Sequence, residues 1–300
     1  MKNQANSLKY WFLASRPKTL AAALMPVCVA TALAYSDGKM RWNVALICAI
    51  FAILMQIAAN FINDLYDYLK GTDGENRLGP KRACAQGWIT PRAMRIGIGV
   101  TLALACAVGC CLLPFGGLKL VVIGALCVVF AFLYTTLLSY IGCGDVLVWV
   151  FFGFVPVCGT YYVQTATLTT TVWIVAAACG LVTDTLLVLN NFRDYAQDRV
   201  GDKRTLIVVL GKKFGSLFYL VQGLLGYLCI VLTSGSAHYC GLVIVLIYFI
   251  PHVTTWRTMN RIGEGKELNR VLGLTARNIL IFGLLVSISF VLDRAIGIVW

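Results

Sequence analysis

NNFRDYAQDRVGDKRTL, Asn190 to Leu206, follows a long apolar run and is dense with charge. Asn190, Asp194 and Asp198 recur every fourth residue. Each residue of an α-helix turns by ~100°, so these three drift only ~40° per step and share one face. A second copy begins at Asn60, in NFINDLYDYLKGTDGENRLGPKR. There Asn60, Asp64 and Asp67 form a similar stripe. Each copy ends in a basic cluster, Lys81-Arg82 in the first and Lys203-Arg204 in the second. Seven of the 13 acids lie in these two segments: Asp64, Asp67, Asp73, Glu75, Asp194, Asp198 and Asp202.

The surroundings of the two stripes are membrane-like. Of 300 residues, 59% are hydrophobic and 13% charged, against about 25% charged in soluble domains. The apolar residues gather in nine runs near spanning length, ~20 residues. These predict helices over Thr19–Tyr35, Val44–Phe61, Met94–Leu113, Leu118–Leu138, Val146–Val163, Val172–Asn190, Phe214–Thr233, Tyr239–Thr255 and Val271–Leu292. Four helices separate the copies, and an even number returns the chain to the same membrane face. The pattern predicts one all-α polytopic domain over residues 1–300, built from a duplicated four-helix unit and a ninth helix.

Lysine and arginine set the orientation. The N-terminal tail holds four, the loop after the second span six, the loop after the sixth six and the loop after the eighth five. That places 21 of the 25 on one side, which the positive-inside rule makes cytoplasmic. The N-terminus is then inside, the C-terminus outside, and both acidic segments face the cytoplasm. The net charge of +12 is thereby read as a topology signal rather than a nucleic-acid footprint. The twelve cysteines contain no C-x-x-C and sit mostly singly in apolar runs, as small buried hydrophobes do. A basic lead and Ala32-Leu33-Ala34 mimic a cleaved signal, but the long tail before the span and the functional look of Arg16–Thr19 favour a retained helix.

Carboxylates at helix C-termini oppose the helix dipole, and acids at a membrane boundary are costly and usually functional. A cation offsets both penalties. Oxygen ligands without His or Cys point to Mg²⁺ or Mn²⁺, which keeps positions open for water and substrate phosphates. Two facing stripes would form a diphosphate clamp, with the basic clusters on the outer oxygens. Beside lipid, such a clamp suits a diphosphate carrying a hydrocarbon tail. An allylic cation formed from it needs a dry pocket with aromatic faces, for which Tyr134, Trp149, Phe151, Phe152, Tyr161 and Tyr162 are candidates.

These stretches resemble the UbiA-type intramembrane prenyltransferase superfamily over nearly the whole chain. Within it, RPKTL (Arg16–Leu20), NDLYDYLKGTD (Asn63–Asp73), LGPKRACAQGWITPRAM (Leu78–Met94), GTYYVQT (Gly159–Thr165) and GDKRTLIVVLG (Gly201–Gly211) look most like the branch acting on 1,4-dihydroxy-2-naphthoate. Two features depart from that pattern. Asp145 stands in Gly142-Cys143-Gly144-Asp145, where the branch tends to have Gly-Leu-Gly-Glu. Leu138 lies near the place where other branches carry a Lys.

The resemblance implies transfer from a polyprenyl diphosphate to the naphthoate, with loss of CO₂ and diphosphate, in a bacterial inner membrane. It implies Asp64, Asp67, Asp194 and Asp198 as Mg²⁺ ligands, with Asn60 and Asn190 orienting them or binding the metal directly. Arg82, Lys203 and Arg204 are expected on the diphosphate, and Arg16 and Lys18 on the acceptor carboxylate or the diphosphate. Tyr134 is expected on substrate, and Asp145 or Asp184 as a base for the ring hydroxyl. His238 and His252 carry no expected role. Open alternatives are a 4-hydroxybenzoate, haem or chlorin acceptor, a cation-coupled transporter, and a lipid-binding scaffold.

Overall fold

The computed structural model describes residues 5–71, 77–233 and 240–297. Asp73, Glu75 and His238 lie outside them, as does the side chain of Lys18. Among the described residues all regular structure is helical. Nine helices there are long and apolar enough to cross a membrane. They are α1 (Pro17–Ser36), α2 (Trp42–Leu69), α3 (Pro91–Cys110), α4 (Lys119–Leu138), α5 (Gly144–Thr165), α6 (Thr170–Val200), α7 (Lys212–Thr233), α8 (Cys240–Ile262) and α9 (Leu268–Ala295). A short helix, Leu8–Ala14, precedes them.

The number agrees with the hydropathy reading, but several ends differ. The apolar runs of α2 and α6 were expected to stop at Phe61 and Asn190; the helices continue to Leu69 and Val200. Charge ends a hydrophobic run but does not end a helix, and neither segment holds a breaker before Gly71 or Gly201. Both acidic stripes are therefore helical. Start signals are conventional. The Thr90 hydroxyl accepts from Ala93 N–H at 3.2 Å, with Pro91 at the first helical position. Thr169 caps α6 in the same way, from Val172 N–H.

Two π-helical segments interrupt the spans, Tyr134–Leu138 at the end of α4 and Val150–Phe154 within α5. The second lies just before Pro156. That ring removes an N–H and crowds the carbonyl of Phe152 four residues back, so the ladder widens there. Pro251 likewise follows a 3₁₀ turn, Val245–Tyr248.

The largest buried cluster draws on six helices. It joins Met25, Val29 and Leu33 of α1, Tyr161 of α5, Val175, Cys179 and Val182 of α6, Ile230 of α7, Tyr248 of α8 and Phe282, Val286 and Phe290 of α9. α2 packs on α3, and α6 on α7, as a duplication predicts. α4 packs on α2 and α3, touches α5 through its π segment and through Phe130 on Phe151, and leaves Val122, Leu126 and Val129 exposed, a lipid-facing wall. α5 crosses α6 at very short range. A Cβ on Gly153 would lie 2.5 Å from the Ala176 carbonyl, and one on Gly180 would lie 3.0 Å from Trp149 Cα. Only glycines allow this approach, and it sets Trp149 against the middle of α6.

Candidate active site

α1 to α6 enclose a cavity of about 550 Å³. Arg16, Gln56, Asn60, Asn63, Tyr134 and Asn190 line one end, and Phe51, Cys106, Cys110, Leu112 and Leu113 the other. Along α2 the lining runs from Cys48 to Asn63, which at 1.5 Å per residue is ~22 Å. Phe130, Phe151, Phe152 and Val155 form the wall between the two ends. One polar mouth on a long apolar bore fits a charged head with a hydrocarbon tail.

The mouth is assembled by α1 and α2. Arg16 adopts a left-handed conformation (φ 51°) just before Pro17 and lines the cavity. Its carbonyl accepts from Thr19 N–H at 2.8 Å and from the Thr19 hydroxyl at 2.9 Å. The Asn60 amide donates to the Ser15 carbonyl at 2.8 Å and to the Thr19 hydroxyl at 3.0 Å, and Asn60 Oδ1 accepts from Gln56 at 3.2 Å. Asn60 thus clips the strained turn that presents Arg16. Asn190 also lines the mouth, with its amide donating to Leu186 of its own helix at 3.0 Å.

The four stripe aspartates have different surroundings. Asp64 is 2% exposed and accepts two backbone N–H bonds, from Ala83 at 2.7 Å and Cys84 at 2.8 Å. It clasps the loop after α2, whose Ala83, Cys84 and Ile89 pack on Phe61 and Leu65. Asp67 pairs with the buried Arg82 at 2.7 Å. Asp194 takes a two-pronged contact from its neighbour Arg193, at 2.7 and 2.6 Å, and Arg193 also donates to Asn269. Asp198 lies 3.7 Å from Lys203, and its Oδ2 is buried with no hydrogen-bond partner. Lys203 acts electrostatically on Asp67 as well. The two stripes therefore face one another across it.

That orphaned Oδ2 opposite Asp67 is what a cation site built from both stripes requires. Among the described residues no three His, Cys, Asp or Glu side chains converge. A hard ion here would rest on one or two carboxylates, with water and phosphate completing its shell, which is how Mg²⁺ is usually held. The donor set fits that ion.

The remaining expected residues are dispersed. Tyr134 lines the cavity, within electrostatic reach of Asp145, Asp184, Asp67 and Asp198. Asp145 borders instead a void of about 10 Å³ shared with Tyr134, Leu187, Asn191 and Lys203. The Arg204 side chain is exposed, and its backbone N–H binds the Tyr140 carbonyl at 2.8 Å. Trp149, Tyr161 and Tyr162 do not line the cavity; Tyr161 is 1% exposed and donates to Asp37. His252 is buried, stacked between Tyr219 and Tyr248.

Sequence reasoning missed Asn63 and Lys70. The Thr135 hydroxyl donates to Asn63 Oδ1. Lys70 donates to the Thr135 and Thr136 carbonyls at 3.3 and 2.8 Å and sits 3.9 Å over the Tyr140 ring. Desolvation lowers the pKa of Lys70, and Asp67 opposes that shift. Together these contacts tie the end of the first stripe to the π segment that carries Tyr134. Only the unusual carbonyl geometry of that segment reveals the role, so no sequence signal was available.

The chain matches the UbiA prenyltransferase family over residues 23–269. It is 37% identical over 220 residues to 1,4-dihydroxy-2-naphthoate octaprenyltransferase from Escherichia coli, covering 70% of this chain and 71% of that relative. The Mycobacterium tuberculosis protein of the same name is 36% identical, covering 73% and 75%. UbiA prenyltransferase domain-containing protein 1 from Homo sapiens is 28% identical, covering 95% and 84%. In structure, a UbiA homologue from Aeropyrum pernix superposes with a TM-score of 0.70 at 15% identity, covering 90% of this chain and 97% of that one. One from Archaeoglobus fulgidus, described as bound to DMAPP and Mg²⁺, gives 0.66 at 13% identity, covering 92% and 98%. Nine apolar helices, duplicated acidic stripes and a polar-mouthed bore accompany these matches, and the chain belongs to the UbiA prenyltransferase family.

Proposed function

We propose that this protein transfers a polyprenyl group from a polyprenyl diphosphate to 1,4-dihydroxy-2-naphthoate, releasing CO₂ and diphosphate and yielding the demethylmenaquinone skeleton. The observation that carries the reading is the cavity itself, which runs ~22 Å along α2 and gathers its charged and amide side chains, Arg16, Gln56, Asn60, Asn63 and Asn190, towards one end. Relatives bearing the naphthoate name, at 37% and 36% identity, support the acceptor.

Asp67 and Asp198 would hold Mg²⁺, with Asp64 and Asp194 fixing the helix ends from which they project. When bound, the ion neutralises the diphosphate and makes it a better leaving group. Lys203 and Arg82 balance charge around the phosphate oxygens. Arg16, held by Asn60 and Thr19, meets an anion at the mouth. The tail lies along Phe51, Phe130, Phe151 and Phe152, whose ring faces stabilise positive charge on the allylic carbon while excluding water.

The protein resides in a bacterial inner membrane as one domain. Its N-terminus is cytoplasmic, its C-terminus lies outside, and the mouth opens at the cytoplasmic side, where most Lys and Arg gather.

Purified protein with Mg²⁺ and a prenyl diphosphate, offered each acceptor separately, tests the reading. Prenylated, decarboxylated naphthoquinol is expected. Product from 4-hydroxybenzoate and none from dihydroxynaphthoate overturns the acceptor. Absence of diphosphate release with every acceptor overturns the enzyme class.

A further inference from the structure

Behind Tyr134 lie two carboxyl groups that the diphosphate clamp does not use. Asp145, at the start of α5, is 2% exposed, and Asp184, within α6, is fully buried. Asp145 stands one turn before Trp149, the α5 side chain that reaches Asp184, and shares its small void with Leu187, about one turn after Asp184 on α6, so the two carboxyls are neighbours. Trp149 Nε1 donates to Asp184 Oδ2 at 3.1 Å, and Gln222 Nε2 donates to the same oxygen. Oδ1 of each carboxyl is buried without a donor, as are the Thr183 hydroxyl and Gln222 Oε1. Neither acid forms an ion pair among the described residues; Lys203 lines the small void that Asp145 borders.

Two carboxylates in contact inside a membrane, with no cation between them, repel strongly. A proton held between the two removes the repulsion and supplies the missing donor. Trp149 and Gln222 fix one oxygen of Asp184 and leave Oδ1 without a donor. The glycine crossing of α5 on α6 enforces this arrangement, because it sets Trp149 against α6. Tyr134 borders both the large cavity and the small void, and Thr183 borders the cavity beside Asp184. The pair is therefore separated from the acceptor space by one phenol.

We propose that Asp145 and Asp184 act as a proton-sharing pair that takes up and returns the acceptor's hydroxyl proton through Tyr134. The inference rests on the naphthoate reading above. The acceptor O–H bond breaks as its proton passes to the Tyr134 oxygen and the phenol proton passes to Asp145. The electron pair left on the acceptor oxygen feeds the ring. A C–C bond forms at the carboxylate-bearing carbon as the allylic C–O bond breaks, and diphosphate leaves with that pair. The C–CO₂ bond then breaks, its electrons restore the aromatic ring, and the proton returns by the same route. Asp145 and Asp184 act through Tyr134 and are positioning residues for the proton.

Infrared difference spectroscopy on the full-length protein in detergent tests the pair without any substrate. Wild type is expected to show a protonated carboxylic acid band at neutral pH that disappears in Asp184→Asn and in Asp145→Asn. Absence of that band from wild type, or its persistence in both variants, overturns the pair.

Steady-state kinetics tests the role. Asp145→Asn is expected to lower kcat at least tenfold, to leave KM for the prenyl diphosphate within about twofold, and to remove one limb of the kcat pH profile. Asp145→Glu is expected to restore that limb. A purely structural role predicts lost stability, with an unchanged pH profile for the activity that remains, and that result overturns the proposal. If the band behaves as expected but wild type never prenylates dihydroxynaphthoate, the acceptor reading falls and so does the pair's part in that reaction, while the shared proton stands.

Discussion

Lys203 Nζ stands 3.7 Å from Asp198 Oδ1, while Oδ2 of the same carboxylate is buried without a partner. One oxygen is balanced by the basic end of the second motif, and the other is held out of water for something else. Asp198→Asn keeps the shape and removes the charge. Loss even of an outer-shell partner of a bound metal typically costs about 10- to 100-fold, so turnover should fall at least tenfold, with partial recovery at high Mg²⁺. Turnover measured across a Mg²⁺ titration checks this. Activity within a few-fold of wild type would remove Asp198 from the clamp.

Asp64 predicts a different failure. Its two oxygens accept from Ala83 and Cys84. Asn at this position turns one acceptor into a donor facing a backbone N–H, a loss of about 1–3 kcal/mol for a buried group. The loop after α2 should open locally. Hydrogen exchange in the peptide containing Ala83 and Cys84 should accelerate in Asp64→Asn, without ligand or metal present. If Asp64 is a metal ligand and nothing more, exchange in the apo protein stays as in wild type.

Arg82→Ala should be worse for stability than Arg82→Lys. The guanidinium pairs with Asp67 at 2.7 Å, and its side chain is only 8% exposed. Removing one partner strands the other, at a cost on the order of 3 kcal/mol. Thermal unfolding in detergent and KM for the prenyl diphosphate should both worsen with Ala. Lys should recover part of the stability but less of the KM, since an ammonium cannot reproduce a planar fork.

The far end of the bore predicts tail-length selection. Cys110 lines it, one residue from Gly109, which packs on Phe51. Cys110→Trp should block the end while leaving the mouth intact. Turnover of a short prenyl diphosphate should change less than threefold, and turnover of a polyprenyl one should fall at least tenfold. Competition between geranyl and octaprenyl diphosphates measures the ratio directly. Equal losses on both would mean that the tail leaves the bore before reaching Cys110.

Much of this architecture was legible in the chain. Hydropathy located nine spans, and the four-residue spacing from Asn190 to Asp198 placed the second stripe on one helical face. What the spacing could not show was division of labour within a stripe. Asp64 and Asp67 look equivalent in sequence; only the loop folding back through Ala83 and Cys84 gives Asp64 two amides and Asp67 an arginine. The pairing of Asp145 with Asp184 was hidden for a related reason. Each was visible as a candidate base, yet their contact depends on the Gly153 and Gly180 crossing, and tertiary approach leaves no local pattern. The π segment at Tyr134 was equally silent, and its link to the first stripe, through Lys70 and Asn63 on Thr135, is made only in tertiary structure.

The cavity is polar at one end and greasy for the rest of its length, and this decides the fate of the two products. Under the proposed reaction, diphosphate and prenylated quinol part at a phase boundary. The anion is soluble only beyond the mouth, and the quinol only in the bilayer. Reversal would require both to re-enter a single narrow chamber from opposite solvents at once. The partition of the two products thereby acts as a ratchet, driving synthesis forward without a moving part.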